Sequence, residues 1–135
     1  MATLVKERRR NQRIPLNCEV SYRLLRSGAE AVESEKYTKA RAHDISESGL
    51  GITLYEELSP GDIIRADFVL PEGEIHAVCE VIWTSEVFLG DPLHMYGAGL
   101  EFACMTDEDR MRLGRYLARQ FESIWSYLLN PESRA

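Results

Sequence analysis

Residues 50–83 read LGITLYEELSPGDIIRADFVLPEGEIHAVCEVIW. Leu50–Tyr55 and Ile63–Leu70 have extended β character, and Ile75, Ala77, Cys79, Val81 and Trp83 alternate with His76, Val78, Glu80 and Ile82 at the two-residue period of a strand. The joints Leu58-Ser59-Pro60-Gly61-Asp62 and Pro71-Glu72-Gly73-Glu74 are turns by composition, because proline presets φ and glycine is free to take φ > 0. No helix is interleaved. Successive strands joined by such turns indicate antiparallel pairing rather than a βαβ architecture.

The same reading extends in both directions. Upstream, Cys18, Val20, Tyr22 and Leu24 alternate with Asn17, Glu19, Ser21 and Arg23, which predicts a strand over about 16–26. Residues 27–35 carry turn residues and scattered acids without an apolar face, an exposed hairpin connection, and a second strand follows over about 37–44. Downstream, residues 95–103 are predicted to pair with the long strand 75–83. Thr106 then reads as an N-cap, Asp107, Glu108 and Asp109 suit the positive end of a helix dipole, and Met111, Leu113, Leu117, Phe121, Ile124 and Leu128 recur at helical spacing. Asn130-Pro131 ends a helix over about 107–129. The pattern is mainly β: an antiparallel barrel or sandwich with one C-terminal helix, which is expected to pack onto the barrel.

With 135 residues, 44% hydrophobic and 28% charged, the chain is long enough for one core and too apolar to be disordered. No apolar run approaches the roughly 20 residues that span a bilayer, and residues 1–13 hold no signal-peptide core, so neither secretion nor membrane insertion is expected and a cytoplasmic location is. Cys18, Cys79 and Cys104 have neither even pairing nor zinc-site spacing, and are expected to be reduced, buried thiols. The net charge of -6 hides an asymmetry: residues 1–13 total +4 (Lys6, Arg8, Arg9, Arg10 and Arg13 against Glu7), leaving -10 for the rest. An acidic body argues against a DNA or RNA binder, whose affinity comes from neutralising many phosphates. A small polyanion touching only the basic segment remains compatible with it.

Two constellations carry chemistry. Arg9 and Arg13 are spaced as R-x-x-x-R within Arg9-Arg10-Asn11-Gln12-Arg13, just ahead of the first strand, and Asp44-Ile45-Ser46-Glu47-Ser48-Gly49 is spaced as D-x-S-x-x-G between the second and third strands. Followed by Gly49–Ile52 as G-x-G-I and a β-rich body, the two motifs in this order resemble the PilZ domain of bacteria over roughly residues 7–121. The resemblance implies a six-stranded split barrel (residues 14–130 with the helix). It also implies a flexible basic switch segment (residues 1–13), and a receptor for cyclic di-GMP bound where that segment folds against the second motif.

The residue chemistry suits that ligand. Two phosphates and two guanines call for planar cations with paired donors, a task for Arg9 and Arg13 with Arg8 and Arg10 contributing. The guanine Watson–Crick edge presents N–H donors, for which Asp44 is an acceptor. Ser46, two residues on and on the same face if the segment is extended, is expected to bond a phosphate or base edge. Gly49, with Gly51 beyond it, lets the backbone approach the ligand, Gly49 through φ > 0 if needed. Trp83, Tyr96 and Phe102 read as barrel core or rim, and an aromatic near the ligand would stack on a guanine.

Taken separately, Asp44 and Ser46 read equally as turn caps and the arginines as a solvated tail. His43, His76 and His94 have no metal-spaced partner, and no nucleophile–base arrangement exists, so neither enzyme activity, nor a metal, nor a cofactor is expected. The alternative function on the same fold is a protein-interaction adaptor that binds no nucleotide. Beyond cyclic di-GMP the sequence names no downstream protein partner, and it is compatible with a monomer or a homodimer.

Overall fold

The computed structural model describes residues 12–32, 35–88 and 94–129. Among these residues there are seven strands and one helix: β1 (Ile14–Ser27), β2 (Glu30–Ala31), β3 (Thr38–Ile45), β4 (Gly49–Leu54), β5 (Ile63–Leu70), β6 (Gly73–Phe88), β7 (His94–Met105) and α1 (Asp107–Leu129). The sheet order β2-β1-β3-β4-β7-β6-β5 closes on itself because β1 also pairs with β5, from Val20↔Phe68 to Arg26↔Ile63. The result is a six-stranded antiparallel barrel, the one of the two architectures compatible with the alternation that the family resemblance implied, with β2 a two-residue hairpin addition to β1. The turns work as read: Gly61 and Gly73 take φ of 93° and 135°, conformations that a side chain disfavours.

Alternation fills the interior. Val20, Tyr22, Ile45, Leu50, Ile52, Ile64, Ile75, Val81 and Leu100 are buried, and Ala40, Ala42, Ala66, Ala77 and Ala98 occupy inward positions between them. A barrel of only six strands is too narrow to take a large side chain at every inward position, so the alanines are a requirement of closure. Tyr22 donates its hydroxyl hydrogen bond to Glu56 at 2.5 Å, which satisfies its one polar atom, and burial pushes its hydroxyl well above the ordinary tyrosine value.

Strict alternation fails at defined places. The β6–β7 hairpin is longer than predicted, since the two strands pair from Ala77↔Met105 to Phe88↔His94. The β1–β3 and β3–β4 ladders shift register between Pro15 and Cys18 and between Ala42 and Asp44, and the β6–β7 ladder shifts twice, with Ala103 of β7 extra opposite Val78 and Cys79 and Ile82 of β6 extra between Val81 and Trp83. Each such bulge inserts a residue and re-aims the side chains after it.

The helix is docked by its first turns. Asp109 N–H donates to Thr106 Oγ1 at 3.1 Å, the expected cap. Buried Asp109 also accepts the backbone N–H of His76 on β6 at 3.0 Å and Arg112 at 2.7 Å, so the acid bonds the barrel as well as suiting the dipole. Leu113, Tyr116 and Leu117 are buried against the barrel, and Arg119 grips Glu72. The expected packing does not extend to the distal turns, where Ile124 and Trp125 are exposed. The side chain of Leu128 lies outside the described residues. Among the cysteines only Cys79 is buried; Cys18 is half-buried and Cys104 exposed, the latter because β7 ends there outside the core. All three are free thiols. Among the described residues no helix is long and apolar enough to cross a membrane, and no side-chain group of metal-ligand type is assembled.

Candidate functional site

The site begins with a bulge. On β3, Ala40 and Ala42 point inward, and unbroken alternation would carry Asp44 into the core with them. The register shift at His43 turns Asp44 outward and returns Ile45 to the interior. Asp44 lies opposite Gly51 on β4, where a Cβ would stand 2.6 Å from its Oδ2, so the carboxylate occupies the space that a side chain at 51 would fill. Gly51 pairs in turn with Gly99 on β7, and Gly99 with Trp83 on β6.

Trp83 is the second re-aimed residue. The alternation from Ile75 to Val81 would place it inside, but the bulge at Ile82 turns it outward, half-exposed, with its indole laid across Gly99. A Cβ at 99 would fall 2.0 Å from Nε1. One row across four strands therefore presents a carboxylate and an indole plane, each seated over a buried glycine, Asp44 over Gly51 and Trp83 over Gly99.

Arg13, immediately before β1, completes the row. Its Nη1 donates to Asp44 Oδ1 at 2.6 Å, with the two side chains 43% and 36% exposed. An ion pair this open to water is worth at most about 1 kcal/mol, so both charges are available for exchange with a ligand at little cost. The next outward row, Arg41–Thr53–Gly97–Ser85, continues the same face, and a shallow cleft of about 290 Å³ over Lys39, Arg41, Thr53, Tyr55 and Met95 adjoins it.

The turn after Asp44 supports the row from behind. Ser46 is 1% exposed, so it does not share the face of Asp44 as alternation suggested. Its Oγ accepts the Ser48 N–H at 3.2 Å and lies 3.1 Å from Ser48 Oγ, while its own N–H donates to the Gly49 carbonyl at 2.9 Å. Phe102 N–H ties Ser48 O to β7 at 2.8 Å. Gly49 does not take φ > 0. Its missing side chain admits the Leu100 carbonyl of β7, which a Cβ would meet at 1.8 Å, so the close approach it permits is to a neighbouring strand. Thus Asp44 faces outward, Ser46 shapes the turn, and Gly49 and Gly51 make room for Leu100 and Asp44.

Of the residues read from the sequence, the structure brings together Arg13, Asp44 and Gly51, with Ser46 and Gly49 beneath. Arg8, Arg9 and Arg10 lie outside the described residues, as does all of segment 1–13 except Gln12 and Arg13. Trp83 stands at the rim, one of the two positions read for it, whereas the part of Gly99 was missed. The signal for it was Gly97-x-Gly99 inside a strand pattern, since interior strand glycines mark a close approach by another group.

A model of the PilZ domain family matches residues 7–119. Among solved structures, the PilZ domain of YcgR from Escherichia coli, determined with c-di-GMP, is similar at 18% identity and a TM-score of 0.60 over 88% of this chain and 98% of that one. MrkH of K. pneumonia in its apo state is similar at 15% identity and TM-score 0.67 over 85% of this chain and 52% of that one. The Bacillus subtilis inhibitor of motility MotI/DgrA is similar at 20% identity and TM-score 0.61, over 82% and 50%. The likeness at these identities is one of fold, and the chain spans about half the length of the latter two proteins. Comparison with curated proteins finds no match.

Proposed function

Because this chain belongs to the PilZ domain family, we propose that it is a non-enzymatic receptor for cyclic di-GMP that binds the ligand along the Asp44–Gly51–Gly99–Trp83 row. The observation that carries this reading is the exposed Arg13–Asp44 pair in one row with a half-exposed indole. Guanine N–H groups satisfy the Asp44 carboxylate, a phosphate or the O6/N7 edge takes the Arg13 guanidinium, and a base lies flat against Trp83. The glycines matter because they let the carboxylate of Asp44 and the indole of Trp83 lie close against the sheet. Arg8, Arg9 and Arg10 supply further cations for the phosphates, and Ser46 and Gly49 hold the turn that aims Asp44. The ligand bound by the PilZ domain of YcgR supports the assignment of ligand class.

Binding on these terms is also a switch. Without ligand, Arg13 is held by Asp44; with ligand, guanine competes for the same carboxylate and Arg13 passes to the nucleotide. A surface ion pair worth at most about 1 kcal/mol is exchanged for charge-assisted bonds of about 1.5–3 kcal/mol each. The segment ahead of β1 follows its arginine onto the barrel, and the changed surface is what a downstream protein reads.

Calorimetry with cyclic di-GMP, set beside cyclic di-AMP, cyclic GMP and GTP, tests the assignment. Arg13→Ala weakens cyclic di-GMP binding at least about tenfold, and Asp44→Asn abolishes the preference for guanine over adenine. Absence of cyclic di-GMP binding by the folded parent chain rejects the receptor and leaves the adaptor. For the switch, amide exchange is expected to slow at residues 8–14 and 44–49 on addition of ligand. Unchanged exchange there in a ligand-saturated sample rejects it.

A further inference from the structure

The helix face turned away from the barrel has an unusual composition. Met111, Arg115, Ala118, Glu122, Trp125 and Leu129 follow one another at steps of 4, 3, 4, 3 and 4 residues, the spacing of a coiled-coil seam. All six are exposed: Met111 is 57%, Trp125 49% and Leu129 75% accessible, and Leu113, Tyr116 and Leu117 occupy the opposite, barrel-facing side. The seam thus carries large apolar groups towards both ends, one arginine, one glutamate and a small residue between the charges.

The charges identify what covers it. Arg112 is engaged by Glu108 and Asp109, and Arg119 by Glu72, whereas Arg115 and Glu122 have no ion-pair partner among the described residues. We propose that this face pairs, antiparallel, with the same face of a second copy of the chain. A twofold axis beside Ala118 sets Arg115 of each copy against Glu122 of the other and Met111 of each beside Trp125 of the other. Ala118 at the crossing lets the backbones come close. A parallel pair would oppose Arg115 to Arg115 and Glu122 to Glu122, so the charges select the antiparallel arrangement. Leu113, Tyr116 and Leu117 hold each barrel on the far side of its helix.

Sedimentation equilibrium of the full chain without nucleotide, over a dilution series, is the test. A concentration-dependent dimer is expected, and Arg115→Glu or Glu122→Arg alone weakens it by about tenfold or more, because each change repeats twice across the axis. The double variant Arg115→Glu/Glu122→Arg restores it with the signs exchanged. Trp125→Ala weakens it in a chain that circular dichroism shows to be folded. A parent that stays monomeric throughout overturns the proposal, as does a dimer indifferent to the single reversals or not restored by the double one. Nucleotide binding is read separately by calorimetry, so failure of the dimer and failure of the receptor are distinguishable.

Discussion

At the scale of single residues, two glycines of one short motif do different work, and alanine separates them. At Gly51 the atoms nearest a Cβ are those of the Asp44 carboxylate, at 2.6–2.9 Å, and that side chain can swing away. Gly51→Ala is therefore expected to lower stability by no more than about 1 kcal/mol while displacing the ligand acceptor, so that cyclic di-GMP affinity by calorimetry falls at least about tenfold. At Gly49 the obstacle is the Leu100 backbone, 1.8 Å away, which cannot retreat without breaking the β4–β7 ladder. Gly49→Ala should cost about 3 kcal/mol or more, read as a fall in the urea midpoint. The cysteines make a third case. Burial pushes the Cys79 thiol up to about 12, and half-burial raises Cys18 against the pull of Arg41, whereas Cys104 is exposed. A thiol reagent at mildly alkaline pH is expected to label Cys104 fast and Cys18 slowly, and to reach Cys79 only in denaturant, because the thiolate is the reacting form.

At the scale of elements, the helix is held at one end and open along its outer face. Thr106, Asp109 and Arg112 anchor its first turns to β6 and to the Gly73 turn, and Glu72 holds Arg119. Between these anchors lies Gly114, exposed and with open space where its Cβ would go. Gly114→Ala is expected to stabilise the protein by about 0.5–1 kcal/mol through the backbone entropy of the unfolded chain, visible in urea unfolding. No gain would mean that the helix melts apart from the barrel. The bulges are the corresponding devices of the strands. Each breaks a ladder locally, and two of them turn Asp44 and Trp83 from the core to the same outer row.

At the scale of the whole molecule, β1 is the closing strand, paired with β3 on one side and β5 on the other, and Arg13 directly precedes it. Ligand held by Arg13 and Asp44 would brace that closure, and any ligand specific to the folded state stabilises it by mass action. At a hundredfold excess over Kd the gain is about 2.7 kcal/mol, or roughly 10 °C in Tm for a domain of this size. Cyclic di-GMP should produce that shift in the parent and about half of it or less in Arg13→Ala at the same concentration. The strands, their turns and the capped helix were legible in the sequence because each rests on short-range chemistry: alternation, proline and glycine at turns, and a threonine before acids. The motif that names Asp44 and Arg13 was legible for the same reason. Where side chains point at a bulge was not, since alternation alone sends Asp44 and Trp83 into the core. That choice belongs to the closed barrel, in which a narrow interior already filled by Ala40, Ala42 and Val81 leaves no room for a carboxylate or an indole. The pair of glycines beneath Asp44 and Trp83 has the same origin. Gly51 and Gly99 lie 48 residues apart in the chain, and only the register of β4 against β7 makes them neighbours.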